Sequence, residues 1–277
     1  MQIHTSIASL RAARAALGRV ALVPTMGNLH AGHIALMHQA RAHADATIAT
    51  VFVNRLQFRP GEDFDRYPRS FAADCAQLEA AGVDHLFAPD EAEMYPTAQT
   101  CHIEPDPALA NVLEGEFRPG HFRGVATVVM KLFQIAQPQV AVFGKKDYQQ
   151  WLVIRQMVAQ LNLPIEIIGS ETQRATDGLA LSSRNGYLSA AERQEAPRLS
   201  RILKSLVESV KNDRSGLVSR EKHAFSELQA HGWLPDYVVL RRMRDLLPPS
   251  THDTELVVLA AARLGATRLI DNMEVHI

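Results

Sequence analysis

Two histidines, His30 and His33, stand three residues apart in the stretch PTMGNLHAGHIALMHQA (residues 24–40), after an apolar run and before a helical pattern. Imidazoles placed there can donate hydrogen bonds to phosphate oxygens as charge develops on them. The first turn of a helix adds unpaired N–H groups and a partial positive charge, which suit the same ligand. Gly27 permits an unusual backbone angle, and Gly32 allows a close approach. The plainer readings are a surface histidine pair or half of a metal site. There is no H-E-x-x-H and no evident set of further ligands. Neither a G-x-x-x-x-G-K-[ST] loop nor a G-x-G-x-x-G fingerprint occurs.

Four further stretches add chemistry. FVNRLQF (52–58) carries Asn54 and Gln57, amides able to read hydroxyls or a carboxylate on a small substrate, or else a turn-forming Asn and a solvated Gln. LEGEFRPGHFRG (113–124) is dense in Gly, Arg and His before a helix, and reads as a mobile phosphate-binding loop or a polar connection. FGKKDYQQ (143–150) sets Lys145, Lys146 and Asp147 at a helix start. Lysine there is a point charge for phosphate and Asp147 a cap or sugar-hydroxyl acceptor; the plain reading is a solvated lysine pair with an N-cap Asp. DGLALSSRN (177–185) carries Ser182, Ser183 and Arg184, which suit phosphate oxygens or a polar interdomain hinge.

These groups need elements to hold them. RVALVPT (19–25), ATIATVFV (46–53), VDHLFAP, QVAVFG (139–144) and PIEIIG (164–169) read as buried strands. Helical patterns run over 32–44, 70–81, 124–137 and 147–162. Strands alternating with helices imply right-handed crossovers and a mostly parallel sheet covered on both faces. In such a sheet ligands sit at the carboxyl ends of the strands, where the candidate residues fall. After about residue 172 the character changes. Ser189 and Glu192 form an S-x-x-E capping box, a helix follows near 217–231, and three strand-like runs close the chain. The expected architecture is α/β: a Rossmann-like domain, residues 1–172, and a smaller α+β domain with an antiparallel sheet, residues 173–277.

Composition sets bounds. The 277 residues are 47% hydrophobic with a formal net charge of −1, so no basic excess points to nucleic acid. No apolar run approaches a membrane span, and the N-terminus has no signal-peptide core. Cys75 and Cys101 are far apart, which fits a reducing cytosol better than a disulfide scaffold or a structural zinc site.

Taken together, PTMGNLHAGH, FVNRLQF, RYPRS, LEGEFRPGHFRGVATVV, FGKKDYQQ and DGLALSSRN resemble the pantoate–β-alanine ligase family of H-x-G-H nucleotidyltransferases, in order across most of residues 20–190. The resemblance implies an ATP- and Mg²⁺-dependent enzyme that adenylates pantoate and passes the pantoyl group to β-alanine, as a cytoplasmic homodimer whose C-terminal domain acts as a lid. It implies that His30 and His33 stabilise the transferring phosphate, with His33 as proton donor. Met26, Gly27, Asn28, Leu29, Ala31 and Gly32 would complete the ATP-contacting turn. Gly144, Lys145, Lys146 and Asp147 would bind ATP, with Lys146 on the phosphates and Asp147 on the ribose. Leu181, Ser182, Ser183 and Arg184 would form the second phosphate loop, and Gln173 would stand where valine packs on adenine. Gln57, Gln150, Asn54 and Arg118 would bind pantoate or β-alanine, Arg118 from the closing segment it shares with Glu114, and Asp74 would face Mg²⁺. Departures from the family pattern are Arg55 and Leu56 for proline and methionine, Lys145 for glutamate, Leu181 for methionine and Ala73 for an acidic residue. An alternative is a nucleotidyltransferase acting on a phosphorylated acceptor. The neutral amides Gln57 and Gln150, in place of an arginine cluster, argue against it. A non-catalytic nucleotide- or RNA-binding module is disfavoured by the retained His30, His33 and Lys146.

Overall fold

The computed structural model describes all of residues 1–277, in two units. One comprises Met1–Lys145 and Val153–Glu171, the other Lys146–Leu152 and Thr172–Ile277. The division near residue 172 therefore has an exception. The short segment after the Lys pair clusters with the C-terminal unit.

The first unit is built on apolar, β-branched runs. Its strands are β1 (Gln2–His4), β2 (Val20–Thr25), β3 (Ala46–Val51), β4 (His85–Phe87), β5 (Val140–Gly144) and β6 (Glu166–Ser170). All pair in parallel, in the order β1-β4-β3-β2-β5-β6. Its helices are α1 (Ile7–Arg14), α2 (Ala31–Arg41), α3 (Phe71–Ala80), the short α4 (Glu91–Met94), α5 (Pro107–Ala110) and α6 (Glu114–Phe117), then α7 (His121–Ala136); α8 (Tyr148–Gln160) begins within the Lys146–Leu152 segment of the other unit. Val23, Ala49, Leu86 and Val142 of the sheet pack with Leu36 and Met37 of α2 and Leu78 of α3 in one apolar cluster. Sequence reading misses β1 and the four-residue helices, because three or four residues carry no measurable period. β1 makes RVALVPT the second strand, not the first.

The second unit carries α9 (Ala190–Glu195), α10 (Pro197–Asn212), α11 (Leu217–Ala230) and the antiparallel sheet β7 (Leu234–Arg242), β8 (Glu255–Leu264), β9 (Thr267–His276). The Ser189–Glu192 capping box is present at α9. Leu199, Ile202 and Leu203 of α10 pack with Trp233, Val258 and Leu269. The α/β class with an antiparallel C-terminal sheet is the expected one. No helix is long and apolar enough to cross a membrane.

Candidate functional site

The chain order places a topological switch between β2 and β5, since the chain runs from β2 outward through β3 and β4, then returns to β5 and β6. There the sheet also comes apart. β2 pairs with β3 all the way to Thr25↔Val51, and β5 pairs with β6 to Gly144↔Ser170. Between β2 and β5 the register stops at Leu22↔Ala141. Pro24 explains this. In a parallel strand alternate residues address alternate neighbours; Arg19 and Thr25 bond toward β3, whereas the carbonyl of Val20 accepts from Gln139 beside β5. Pro24 shares the parity of Val20, so its missing N–H falls on the β5 side. The sheet opens at the carboxyl ends of its two central strands, where α/β folds receive ligands.

The turn that leaves β2 follows at this end of the strand. Gly27 (φ 81°) and Asn28 (φ 50°) are both left-handed. A side chain on Gly27 would also meet Asp74 and Val51 at 3.0 Å each, so glycine is required here twice over. His30 is the N-cap of α2: its Nδ1 accepts from the Gly32 N–H at 3.1 Å. His33 Nδ1 accepts from the His30 N–H at 3.3 Å, which completes a capping box in which both side chains are imidazoles. The three-residue spacing is therefore a capping geometry. A ring nitrogen that accepts from a backbone N–H carries no proton, so the neutral tautomer of each ring is Nε2–H, a donor. The rings lie 4.1 Å apart, centroid to centroid. The result is two adjacent N–H donors at a positive helix terminus.

Asp74, expected to face Mg²⁺, is buried under this turn. Its carboxylate accepts from the Asn28 N–H (3.0 Å), the Leu29 N–H (2.8 Å) and the Ser70 hydroxyl. Its exposure is 1%, and no cluster of three or more His, Cys, Asp or Glu side chains is disposed to hold a metal. The geometry is that of an anchor, because two adjacent peptide N–H groups with no helical partner need an acceptor. Replacing Asp74 by alanine is expected to cost about 3 kcal/mol of stability, measured by thermal melting, since both N–H groups are left buried and unpaired. Activity should fall with it and excess Mg²⁺ should not restore it; recovery by added Mg²⁺ would instead make Asp74 a metal ligand.

A second set of side chains lies beyond β3. Asn54 is buried and spends both its N–H bonds inward, on Gln57 Oε1 (3.0 Å) and the Gly124 carbonyl (3.2 Å), while Tyr95 donates to its Oδ1 at 2.7 Å. Burial beside Glu91 holds the Tyr95 phenol well above its ordinary pKa, so it stays a donor. Asn54 thus positions Gln57. Gln57 Nε2 meets only the weak acceptor Sδ of Met26 at 3.2 Å, which leaves the amide able to bind a small polar ligand. Gly124 is needed on α7, because a Cβ there would lie 2.2 Å from the Leu56 carbonyl oxygen.

The Arg- and His-rich loop is an ordered network in the structure, with α6 inside it. Arg118 reaches Glu62 through two parallel bonds (3.0 and 2.8 Å), Glu114 at 3.4 Å and the Gln57 carbonyl at 3.3 Å. Its fork of donors is committed to the protein. His121 is buried, and desolvation, with Arg118 next, lowers its pKa to about 4, so it is neutral near pH 7. It donates from Nδ1 to the Gln57 carbonyl (2.9 Å) and accepts from Arg118 at Nε2 (3.2 Å). The sequence pattern around His121 assigns it no role, and no motif singles out Glu62 or Tyr95.

In the second unit, Lys146 and Gln150 are half-buried at the start of α8, Asp147 is exposed and Gln149 is the buried neighbour. Ser182 caps the turn Ser183–Tyr187, its hydroxyl accepting from the Arg184 N–H at 3.2 Å. Ser183 and Arg184 follow, half-buried, and Gln173 is exposed, its carbonyl accepting from the Leu181 N–H.

The family model for pantoate–β-alanine ligase matches residues 2–274. The chain belongs to the pantoate–β-alanine ligase family. A pantothenate synthetase of Leptothrix cholodnii is 59% identical, covering 99% of this chain and all of that protein. One from Verminephrobacter eiseniae is 58% identical over the same shares. The crystal structure of pantothenate synthetase from Thermus thermophilus superposes with a TM-score of 0.94 at 45% identity, over the whole of both chains. The ligase from Francisella tularensis, solved with βγ ATP and β-alanine, gives 0.84 at 35% identity, over 99% of this chain and 97% of that one.

Arg55 and Lys145, which the sequence reading sets apart from the family pattern, both have partners. Arg55 pairs with Glu91 at 3.0 Å and lies 4.0 Å over the Phe64 ring. Lys145 pairs with Glu171 at 2.7 Å. Arg55 thereby ties its loop down through an ion pair and a cation–π contact.

Proposed function

We propose that this chain condenses pantoate with β-alanine, using ATP and releasing AMP and pyrophosphate. The observation that carries the reading is the paired-imidazole capping box at the opening between β2 and β5, in a chain matched end to end by the ligase family. In the first step a carboxylate oxygen of pantoate attacks the α-phosphorus of ATP. The bond from that phosphorus to the bridging oxygen breaks and pyrophosphate leaves. In the second, the amine of β-alanine attacks the pantoyl carbonyl, AMP leaves and the nitrogen gives up a proton. His30 and His33 donate from Nε2 to the phosphate oxygens that gain charge, with His33 as the proton donor. Met26 to Gly32, Gly144, Lys145, Asp147 and Leu181 are ATP contacts, and Gln173 takes the position that packs on the base. Lys146, Ser182, Ser183 and Arg184, all carried by the second unit, are further phosphate ligands. Gln57 and Gln150 bind the small substrates. Asn54 and Arg118 hold Gln57 in place, so their part in binding is indirect.

Mg²⁺ enters on the triphosphate as MgATP, because the residues present offer no cage of their own, and no step above depends on a protein-bound ion. The enzyme works as a homodimer in the cytoplasm, with no nucleic-acid or membrane partner. The test is exchange of labelled pyrophosphate into ATP. Exchange should require pantoate, and AMP should accumulate only once β-alanine is added. Exchange without pantoate, or with a phosphorylated acceptor in its place, would defeat the reading.

A further inference from the structure

β9 carries a pair of consecutive buried polar residues, Asp271 and Asn272, at 4% and 6% exposure. Neighbours in a strand point to opposite faces, so one strand addresses two partners at one level. Asp271 shares its parity with Leu269 and Val275, which belong to the apolar cluster of the second unit. It receives the guanidinium of Arg174 through two bonds of 2.7 and 2.8 Å. Arg174 also donates to the Asn272 carbonyl (3.0 Å) and the Gly178 carbonyl (3.1 Å). It thereby closes the small hairpin in which Arg174 bridges to Ala180 and the Leu181 N–H returns to the Gln173 carbonyl. That hairpin delivers the chain to Ser182, Ser183 and Arg184. On the opposite parity, Asn272 Nδ2 donates to the Lys146 carbonyl at 2.8 Å.

We propose that Asp271 and Asn272 form a positioning node, which sets the Lys146 peptide on one side and, through Arg174, the Ser182–Arg184 turn on the other. This rests on the phosphate-binding roles proposed above for those residues. It explains a feature of the fold that α8 alone does not. Lys146–Leu152 belongs to the C-terminal unit, although its neighbours on both sides, Lys145 and Val153, belong to the first. The buried amide of Asn272 is a directional tie between this segment and β9. A bidentate Arg–carboxylate pair fixes β9 in turn, since its geometry tolerates little rotation. Phosphate ligands displaced by about 1 Å lose on the order of 100-fold in rate, so such a node has kinetic weight.

The test compares Asn272→Ala and Asn272→Asp, which lack the amide donor, with Asn272→Gln, which retains one. All are measured in the full chain for pantoate-dependent pyrophosphate exchange, for conversion of supplied pantoyl adenylate and β-alanine to pantothenate, and for melting temperature. The expected result is a loss of exchange on the order of 10- to 100-fold in the first two, with the second half-reaction much less affected and Asn272→Gln partly restored. Lys146→Ala and the Lys146→Ala/Asn272→Ala pair are run alongside. If Asn272 acts through Lys146, the double variant exchanges no more slowly than Lys146→Ala alone. Wild-type exchange in Asn272→Ala beside a slow Lys146→Ala overturns the node only. Wild-type exchange in Lys146→Ala overturns the role of the lysine and the node with it. Both half-reactions falling together with the melting temperature would make Asn272 merely structural, and that too overturns the proposal.

Discussion

Exchanging His30 for serine and His33 for glutamine is expected to leave the start of α2 as well capped as before and to abolish most adenylation. In the structure each imidazole does two things. Its Nδ1 accepts a backbone N–H of the first turn, and its Nε2–H is thereby set as a donor. Serine at the N-cap and glutamine three residues on supply the same two acceptors, and they are among the side chains most favoured at those positions. The cap survives and the donors do not. Loss of oriented donors to a developing phosphate charge costs on the order of 100-fold or more in rate. The measurement is pyrophosphate exchange with pantoate at saturation, beside a thermal melt. An unchanged melt with a collapsed rate supports the assignment. An unchanged rate would reduce the histidine pair to a helix cap.

Replacing Arg174 by alanine is expected to cause the largest loss of stability among the substitutions considered. Asp271 then sits buried with no cationic partner, and breaking a buried pair from one side costs roughly 3–5 kcal/mol. The double replacement of Arg174 and Asp271 by leucine should recover much of that loss, since no stranded charge remains. It should not recover exchange, because the bonds from Arg174 to the carbonyls of Gly178 and Asn272 are gone. Chemical denaturation of the two variants beside the unaltered protein separates the outcomes. A double variant as unstable as Arg174→Ala would show that packing at this site, not the unpaired carboxylate, sets the cost.

The same fold also shows where a substitution can act at a distance from substrate. Asn54, Arg118 and His121 all converge on Gln57, one through its side chain and two through its carbonyl. Because His121 is held neutral by burial, this set keeps its bonding pattern through the pH range in which an ordinary histidine titrates. A motif rich in Arg, Gly and His looks, in one dimension, like a loop waiting for phosphate. In three dimensions Arg118 faces Glu62 and Glu114, and Arg123 faces Glu104.

What the sequence by itself determined is local in origin. The buried strands follow from runs of Val, Ile, Leu and Ala, and the α9 box from Ser189 and Glu192. The histidine pair could be placed at a helix start, because capping is decided within three or four residues. Only the tertiary structure decided which polar side chains are spent on the protein's own groups. Asp74 meets Leu29 across 45 residues of chain, and Arg174 meets Asp271 across 97. Such pairs leave no period or spacing to read, since the chain brings them together only after the sheets have formed. The opening between β2 and β5 is of the same kind: Pro24 is plain in the sequence, but the neighbour its missing N–H faces exists only once β5 has folded in beside β2.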